Sequence, residues 1–196
     1  MKHTLTALFA AAALSLGAAL PAHATEVQGV KLEDSTTVAG KTLVLNGAGA
    51  RIKAVFKVYV LGLYLPEKKT TTADVLALSG PKKFKIVLLR DLSSEEFGQA
   101  FLTGINKNLD KDEKAKFVNQ LVKLGDLFND IEAGVKKGDV IWGEWNPAVG
   151  TTFTLNGKQV GSVLPDGNFY NAILRIWIGT NPADNMLKPL LLGDKS

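Results

Sequence analysis

Residues 45–66, LNGAGARIKAVFKVYVLGLYLP, decide how this chain is read. The stretch opens on Asn46-Gly47-Ala48-Gly49-Ala50, where two glycines permit positive φ and predict a tight turn. Arg51 closes that run. From Ala54 to Leu65 the residues are mostly β-branched or aromatic. Strict alternation puts Val55, Lys57, Tyr59, Leu61 and Leu63 on one face and Phe56, Val58, Val60 and Tyr64 on the other. Both faces are largely apolar, so a central strand covered on each side is expected, ended by Pro66. Two residues stand out in it. Arg51 is one of only three arginines, with Arg90 and Arg175, and it sits where the turn enters the strand. Lys57 lies within the strand itself; it either faces a cleft, as an anion binder or a base of lowered pKa, or snorkels to an edge.

Outward from this stretch the pattern alternates between strand and helix. Residues 29–46 read as short strands with a turn at Ala39-Gly40. ADVLALSG reads as a short helix closed by Gly80, and KKFKIVLLRDL as a strand with Phe84, Ile86 and Leu88 on one face. Ser93 or Ser94 can cap a helix that carries Glu95 and Glu96 in its first turn, followed by Phe97, Phe101 and Ile105 at helical spacing. Asp110 or Asp112 can cap a longer helix, through about Ile131, with Phe117, Leu121, Leu124 and Phe128 as its apolar stripe. DVIWGEW, GTTFTL and KQVGSVL return to strand, and Asn156-Gly157 between the last two is a strong hairpin signal. Trp142 and Trp145 are taken to share one strand face, packed under helices or flooring a pocket. GNFYNAILRIWIG reads as an apolar helix holding Trp177, and a last helix is expected to begin near Pro182 and end at Gly193. No repeat or linker divides the chain. The expectation is one α+β domain, a large, mostly antiparallel sheet covered by a layer of helices.

Residues 1–24 read as a secretory signal peptide: Lys2 and His3, an apolar stretch from about Leu5 to Leu20, then Ala22-His23-Ala24 as an A-x-A cleavage site. The mature domain would be residues 25–196, in the periplasm, with no permanent membrane anchor. Without Lys2 the net charge of +4 becomes +3, and no nucleic-acid motif accompanies the lysines. There is no cysteine, and both histidines, His3 and His23, belong to the leader. Disulfides, thiolate or ordinary zinc sites, Ser-His-Asp chemistry and histidine-ligated haem are therefore excluded from the mature chain. No metal and no cofactor are expected.

Taken together, LVLNGAGARIK…FKVYVLGLYL, LLRDLSSEEFGQAFLTGI, TFTLNGKQVGSV and FYNAILRIWIGTNPADNMLKPLLLG resemble the chalcone isomerase-like family, in particular its bacterial secreted branch. The resemblance spans nearly all of residues 27–193. It implies an open-faced β-sandwich with a ligand cleft between sheet and helices, and it places Arg51 at that cleft. In chalcone isomerases the matching arginine stabilises negative charge as a ring closes; in fatty-acid-binding members it holds the ligand carboxylate. A guanidinium suits both, being permanently charged and offering a fork of donors. Other positions depart from the enzymes. Phe97 falls where they carry a helix tyrosine, and Gly104 where they carry an asparagine, with Asn106 and Asn108 just beyond. Tyr59 falls at the strand threonine and supplies a phenol from another wall.

The resemblance therefore implies a non-catalytic binder of a small amphipathic acid, a fatty acid or similar, with Arg51, Tyr59, Lys57, Phe97 and Asn106 as ligand-binding residues. The alternative is an intramolecular lyase of chalcone isomerase type acting on an enone, with Arg51 and Tyr59 catalytic. Haem binding ranks lower, since only a tyrosine or Met186 could ligate iron. Outside the resemblance, Arg51 could instead pair with Glu33 or Asp34, and Arg90 reads as salt-bridged to Asp91.

Overall fold

A computed structural model describes residues 24–194; the expected signal peptide lies, up to His23, outside the described residues. Nine strands and six helices follow in the order β1 (Ala24–Val27), β2 (Val30–Glu33), β3 (Ser35–Val38), β4 (Lys41–Lys53), β5 (Phe56–Leu65), α1 (Thr72–Ala77), β6 (Lys82–Leu88), α2 (Ser94–Asn106), α3 (Lys111–Lys116), α4 (Val118–Asn129), β7 (Val140–Asn146), β8 (Gly150–Leu155), β9 (Lys158–Leu164), α5 (Gly167–Ile178) and α6 (Leu187–Leu191). Strands β3 to β9 form one antiparallel sheet in sequence order, and β1 and β2 form a separate hairpin. This is the expected α+β architecture.

One face of the sheet carries the main core. Leu61, Leu63, Phe84 and Ile86 meet Phe97 and Phe101 of α2, Leu124 and Phe128 of α4, and Ile173 and Trp177 of α5. On the other face a smaller core, Leu32, Val38, Leu43, Leu45, Val60 and Tyr64, lies under the β1–β2 hairpin. Asn156 and Gly157 both take positive φ, as the hairpin signal requires, and so do Ala39 and Gly40. Ser93 caps α2 in a capping box with Glu96, and Asp110 caps α3 in another with Glu113.

Several expectations are corrected. Residues 46–50 are not a turn but the middle of β4, and neither Gly47 nor Gly49 has positive φ. The glycines are needed for close approach: a Cβ at Gly47 would run into the Leu190 carbonyl, and one at Gly49 would sit 2.8 Å from the Leu187 and Leu190 side chains. The β4–β5 reversal lies instead at Ala54-Val55, with Ala54 in the left-handed region. The long helix expected from about 110 to 131 is broken at Phe117, whose buried ring packs edge-on to Phe169 at 5.3 Å. Pro182 begins no helix; α6 starts only at Leu187, after a loop whose Asp184 carboxylate accepts from the Met186 and Leu187 amides. Trp142 and Trp145 are three positions apart, so the pleat sends them to opposite faces: Trp142 packs on Tyr64, and Trp145 on Tyr170.

A buried lysine gives the fold a pH dependence. Lys82 is 3 % exposed and its ammonium meets only neutral acceptors, Asn171 Oδ1 at 2.9 Å and the Leu76 carbonyl at 3.4 Å. Burial pushes its pKa down to about 8 from 10.5. Between those values the unfolded chain holds a proton that the folded chain has released. Stability should therefore rise with pH across that window, by up to about 1.4 kcal/mol per unit, and lose this contribution below pH 8. Urea midpoints at pH 7 and 9.5 check this: Lys82→Met should remove the rise and be the more stable variant at pH 7.

Candidate functional site

Two irregularities in the β4–β5 pair shape the site. Leu45 faces Tyr64 and Gly47 faces Leu63, leaving Asn46 as an extra residue in β4. This bulge reverses the alternation. Leu43 and Leu45 before it, and Ala48 and Ala50 after it, all point to the small core, while Gly47 and Gly49 turn to α6. Arg51 thereby arrives on the helix side of the sheet. A second bulge leaves Val58 extra in β5, because Arg51 pairs with Tyr59 and Ile52 with Lys57. Val58 thus joins Tyr59 in the main core rather than alternating away from it.

The Asn46 bulge is held by side-chain hydrogen bonds. Asn46 Nδ2 donates to the Lys69 and Leu191 carbonyls at 2.9 and 2.7 Å, and its Oδ1 accepts from the Lys69 amide at 2.7 Å. Asp184 fixes the other end of the element, its carboxylate accepting from the Ile52 amide at 2.9 Å.

Arg51 lies at the bottom of an open cleft of about 460 Å³. The floor adds Lys53 and Val58, one wall is Arg90 and Leu92, and the opposite end is closed by Asn181, Pro182 and Ala183. The remaining wall is one stripe of α2, with Glu96, Ala100, Thr103 and Lys107 at helical spacing. A small extension of about 30 Å³, the size of one water, leads inward from Arg51 to Tyr59, Phe97, Phe101 and Trp177.

The electrostatics are lopsided. Arg51, Lys53, Arg90 and Lys107 face the cleft against a single carboxylate, Glu96, which is occupied in capping α2 through the Ser93 amide. Arg51 pairs with neither Glu33 nor Asp34; Glu33 binds Lys85 at 2.9 Å. Arg51 Nε is buried without a hydrogen-bond partner among the described residues. Its guanidinium lies 5.6 Å from the centre of the Tyr59 ring. The Tyr59 hydroxyl accepts from Trp177 Nε1 at 2.7 Å, and its own proton has no acceptor among the described residues. Burial dominates over the nearby Arg51 charge and pushes the Tyr59 pKa up to about 12, so the phenol stays protonated as a donor. A neutral donor beside a fixed cation, above an apolar slot, can hold an oxyanion or a carboxylate.

The other sequence-predicted residues are distributed unevenly. Phe97 lines the inner slot beside Arg51 and Tyr59. Lys57 is exposed near the hairpin end and Asn106 is exposed at the end of α2, and neither lines the cleft. Lys57 is displaced because the Val58 bulge shifts its alternation. Asn108 ties α2 to the 180–182 loop, through Gly104, Asn181 and its own side chain. Gly104 lies on the cleft wall, and a Cβ there would sit 2.8 Å from Ile176, so its smallness lets α2 and α5 approach. Arg90, Lys53 and Lys107 were missed. Arg90 donates to the Asp91 carbonyl at 3.3 Å rather than to its carboxylate, which instead takes the Lys137 amide. The available sequence signal was the stripe Glu96, Ala100, Thr103, Lys107, one position before the apolar stripe of the same helix. Met186 is exposed and outside the cleft, so Tyr59 is the one potential haem ligand of those named that reaches it.

The chalcone isomerase-like family model matches residues 24–193. The chain belongs to the chalcone isomerase-like family. The crystal structure of a fatty-acid-binding protein of Arabidopsis thaliana superposes with a TM-score of 0.65 at 16 % identity, covering 84 % of this chain and 92 % of that one. At that identity the likeness establishes the fold. No curated protein gives a significant sequence match. Within the chalcone isomerase-like fold, the bulge at Asn46 sets the phase of β4 with which Arg51 faces the helices.

Proposed function

We propose that this protein is a periplasmic, non-catalytic binder of a small amphipathic acid, a fatty acid or a similar apolar anion, with its charged end on Arg51. The observation that carries this reading is the half-buried, unpaired Arg51 between the electropositive cleft and the apolar slot. A buried donor without a partner is costly in the empty protein and is relieved when a carboxylate arrives. The Tyr59 phenol supplies a second donor from the neighbouring strand, which suits one carboxylate oxygen while the guanidinium takes the other.

The apolar part of the ligand lies along Val58, Leu92, Ala100 and Ala183 in the open groove. The inner slot holds about one water, so a longer tail enters only if Phe97 or Phe101 swings aside. The family match and the fatty-acid-binding neighbour support a ligand binder. The leader in residues 1–24 supports export, and with it the bacterial secreted branch.

Protein purified natively from its own compartment and extracted for mass spectrometry should yield an organic acid near one per chain, absent from Arg51→Ala. An empty wild-type protein would count against a carrier.

A second reading, an intramolecular lyase acting on an enone, is favoured by one observation. Arg51 and the protonated Tyr59 together form a donor pair for a developing oxyanion. Loss of enone absorbance on incubation with chalcones would support it, and no turnover across a panel of Michael acceptors would reject it.

A further inference from the structure

The tip of the β4–β5 hairpin exposes large apolar side chains, among them Phe56, the one aromatic so exposed among the described residues. Val55 is 83 % exposed and Phe56 58 %, while Ile52, their near neighbour, is 46 % exposed. The loop that carries Met186, 77 % exposed, is tied to the base of the hairpin, where the Asp184 carboxylate accepts from both the Ile52 and the Met186 amides at 2.9 and 2.8 Å. Core packing among the described residues does not account for such exposure.

Cations surround this patch. Lys53 pairs with Phe56 across the hairpin and Lys57 with Ile52, and the Arg90 guanidinium lies 5.5 Å from the centre of the Phe56 ring. The nearby carboxylates are already engaged: Asp184 by three backbone amides, and Asp91 by the Lys137 amide and Lys136. The patch is also continuous with the cleft, because Lys53 and Arg90 belong to both.

We propose that this hairpin tip docks the protein on an anionic lipid bilayer, with Val55 and Phe56 inserted among the headgroups and the cleft mouth held at the membrane surface. Exposed apolar residues ringed by lysine and arginine combine the two attractions that hold a peripheral protein on such a surface, apolar insertion and charge. A protein partner fits less well. The patch consists of a few side chains, Ile52, Val55 and Phe56, against the roughly 20–30 residues a side of a stable protein interface. Docking there would let a membrane-soluble acid pass between bilayer and Arg51 without crossing water. That transfer role rests on the binding function proposed above; the docking itself does not.

The test is sedimentation with vesicles of phosphatidylglycerol and phosphatidylethanolamine, using the protein as its cell processes it. Wild type should partition onto these vesicles, weaken as salt rises, and bind phosphatidylcholine vesicles far less. Val55→Ser with Phe56→Ser should lower partitioning about tenfold or more, and Lys53→Gln with Lys57→Gln about fivefold per charge removed at low salt. All four positions are exposed, so thermal midpoints should not move, and affinity for a soluble acid measured without vesicles should be retained in the Val55/Phe56 variant. Arg51→Ala should lose the acid yet still bind vesicles, which separates failure of docking from failure of ligand binding. The proposal is overturned by absent wild-type binding to the anionic vesicles, or by equal binding of wild type and the Val55/Phe56 variant. A wild-type dimer dissociated by the same substitutions, without vesicle binding, would assign the tip to a second copy of the chain and equally overturn it.

Discussion

Arg51→Ala should weaken binding of an amphipathic carboxylate by about 30- to 150-fold, the loss of about 2–3 kcal/mol of charge-assisted hydrogen bonding in a partly buried site. Folding should be nearly unaffected, because among the described residues the Arg51 side chain forms no salt bridge and its Nε lacks a partner. Removing that unsatisfied donor offsets the packing lost with its stem. Arg51→Lys should fall between the two: it keeps the charge but lacks the planar fork, so a carboxylate is held at one point rather than two. Tyr59→Phe isolates the second donor. It also leaves the Trp177 indole without its acceptor at the buried end, so both affinity and melting temperature should drop. Titration calorimetry with an acid of medium chain length, alongside thermal melts, measures all three. Unchanged affinity in Arg51→Ala would place the ligand elsewhere in the fold.

Asn46→Ala should destabilise the protein by about 3 kcal/mol, more than most single substitutions. Asn46 is buried, and its loss leaves the Lys69 amide and the Lys69 and Leu191 carbonyls without the partners they now have. For a domain of this size that corresponds to a melting temperature lower by about 6–12 °C. Deleting Asn46 asks a different question. Taking out the extra residue leaves Leu45 followed directly by Gly47, and unbroken alternation then keeps Leu43, Leu45, Ala48 and Ala50 on the small-core face and Gly47, Gly49 and Arg51 on the helix face. The deletion variant should therefore lose the stability that the Asn46 side chain contributes, while the molecules that fold still bind the acid through Arg51. Loss of Arg51-dependent affinity in folded deletion molecules would show that the bulge does more than absorb one residue.

The two substitutions probe different levels of the molecule. Arg51 contributes chemistry and little folding energy; Asn46 lines no part of the Arg51 cleft and holds the bulge at which the alternation of β4 changes phase. Asn46 reads in the sequence as one member of a polar, glycine-rich turn. Nothing local reveals that its amide spans from β4 to the chain after β5 and to α6, contacts 23 and 145 positions away.

The sequence by itself determined the α+β class, because period-2 and period-3.6 apolar patterns are local and most elements follow them. It determined the hairpin at Asn156-Gly157, whose residues tolerate positive φ, and narrowed the caps to Ser93 or Ser94 and to Asp110 or Asp112, of which the structure uses Ser93 and Asp110. Through its resemblance to a family it pointed to Arg51 and Tyr59. Tertiary structure alone decided which way these residues face. A bulge shifts alternation by one position and changes every face beyond it, yet it leaves no mark in composition. Lys57 moved out of the cleft and Val58 into the core for that reason. Arg90 and Lys107 entered the cleft because strand end and helix meet there, a juxtaposition carried by packing across the chain rather than by any run of neighbouring residues.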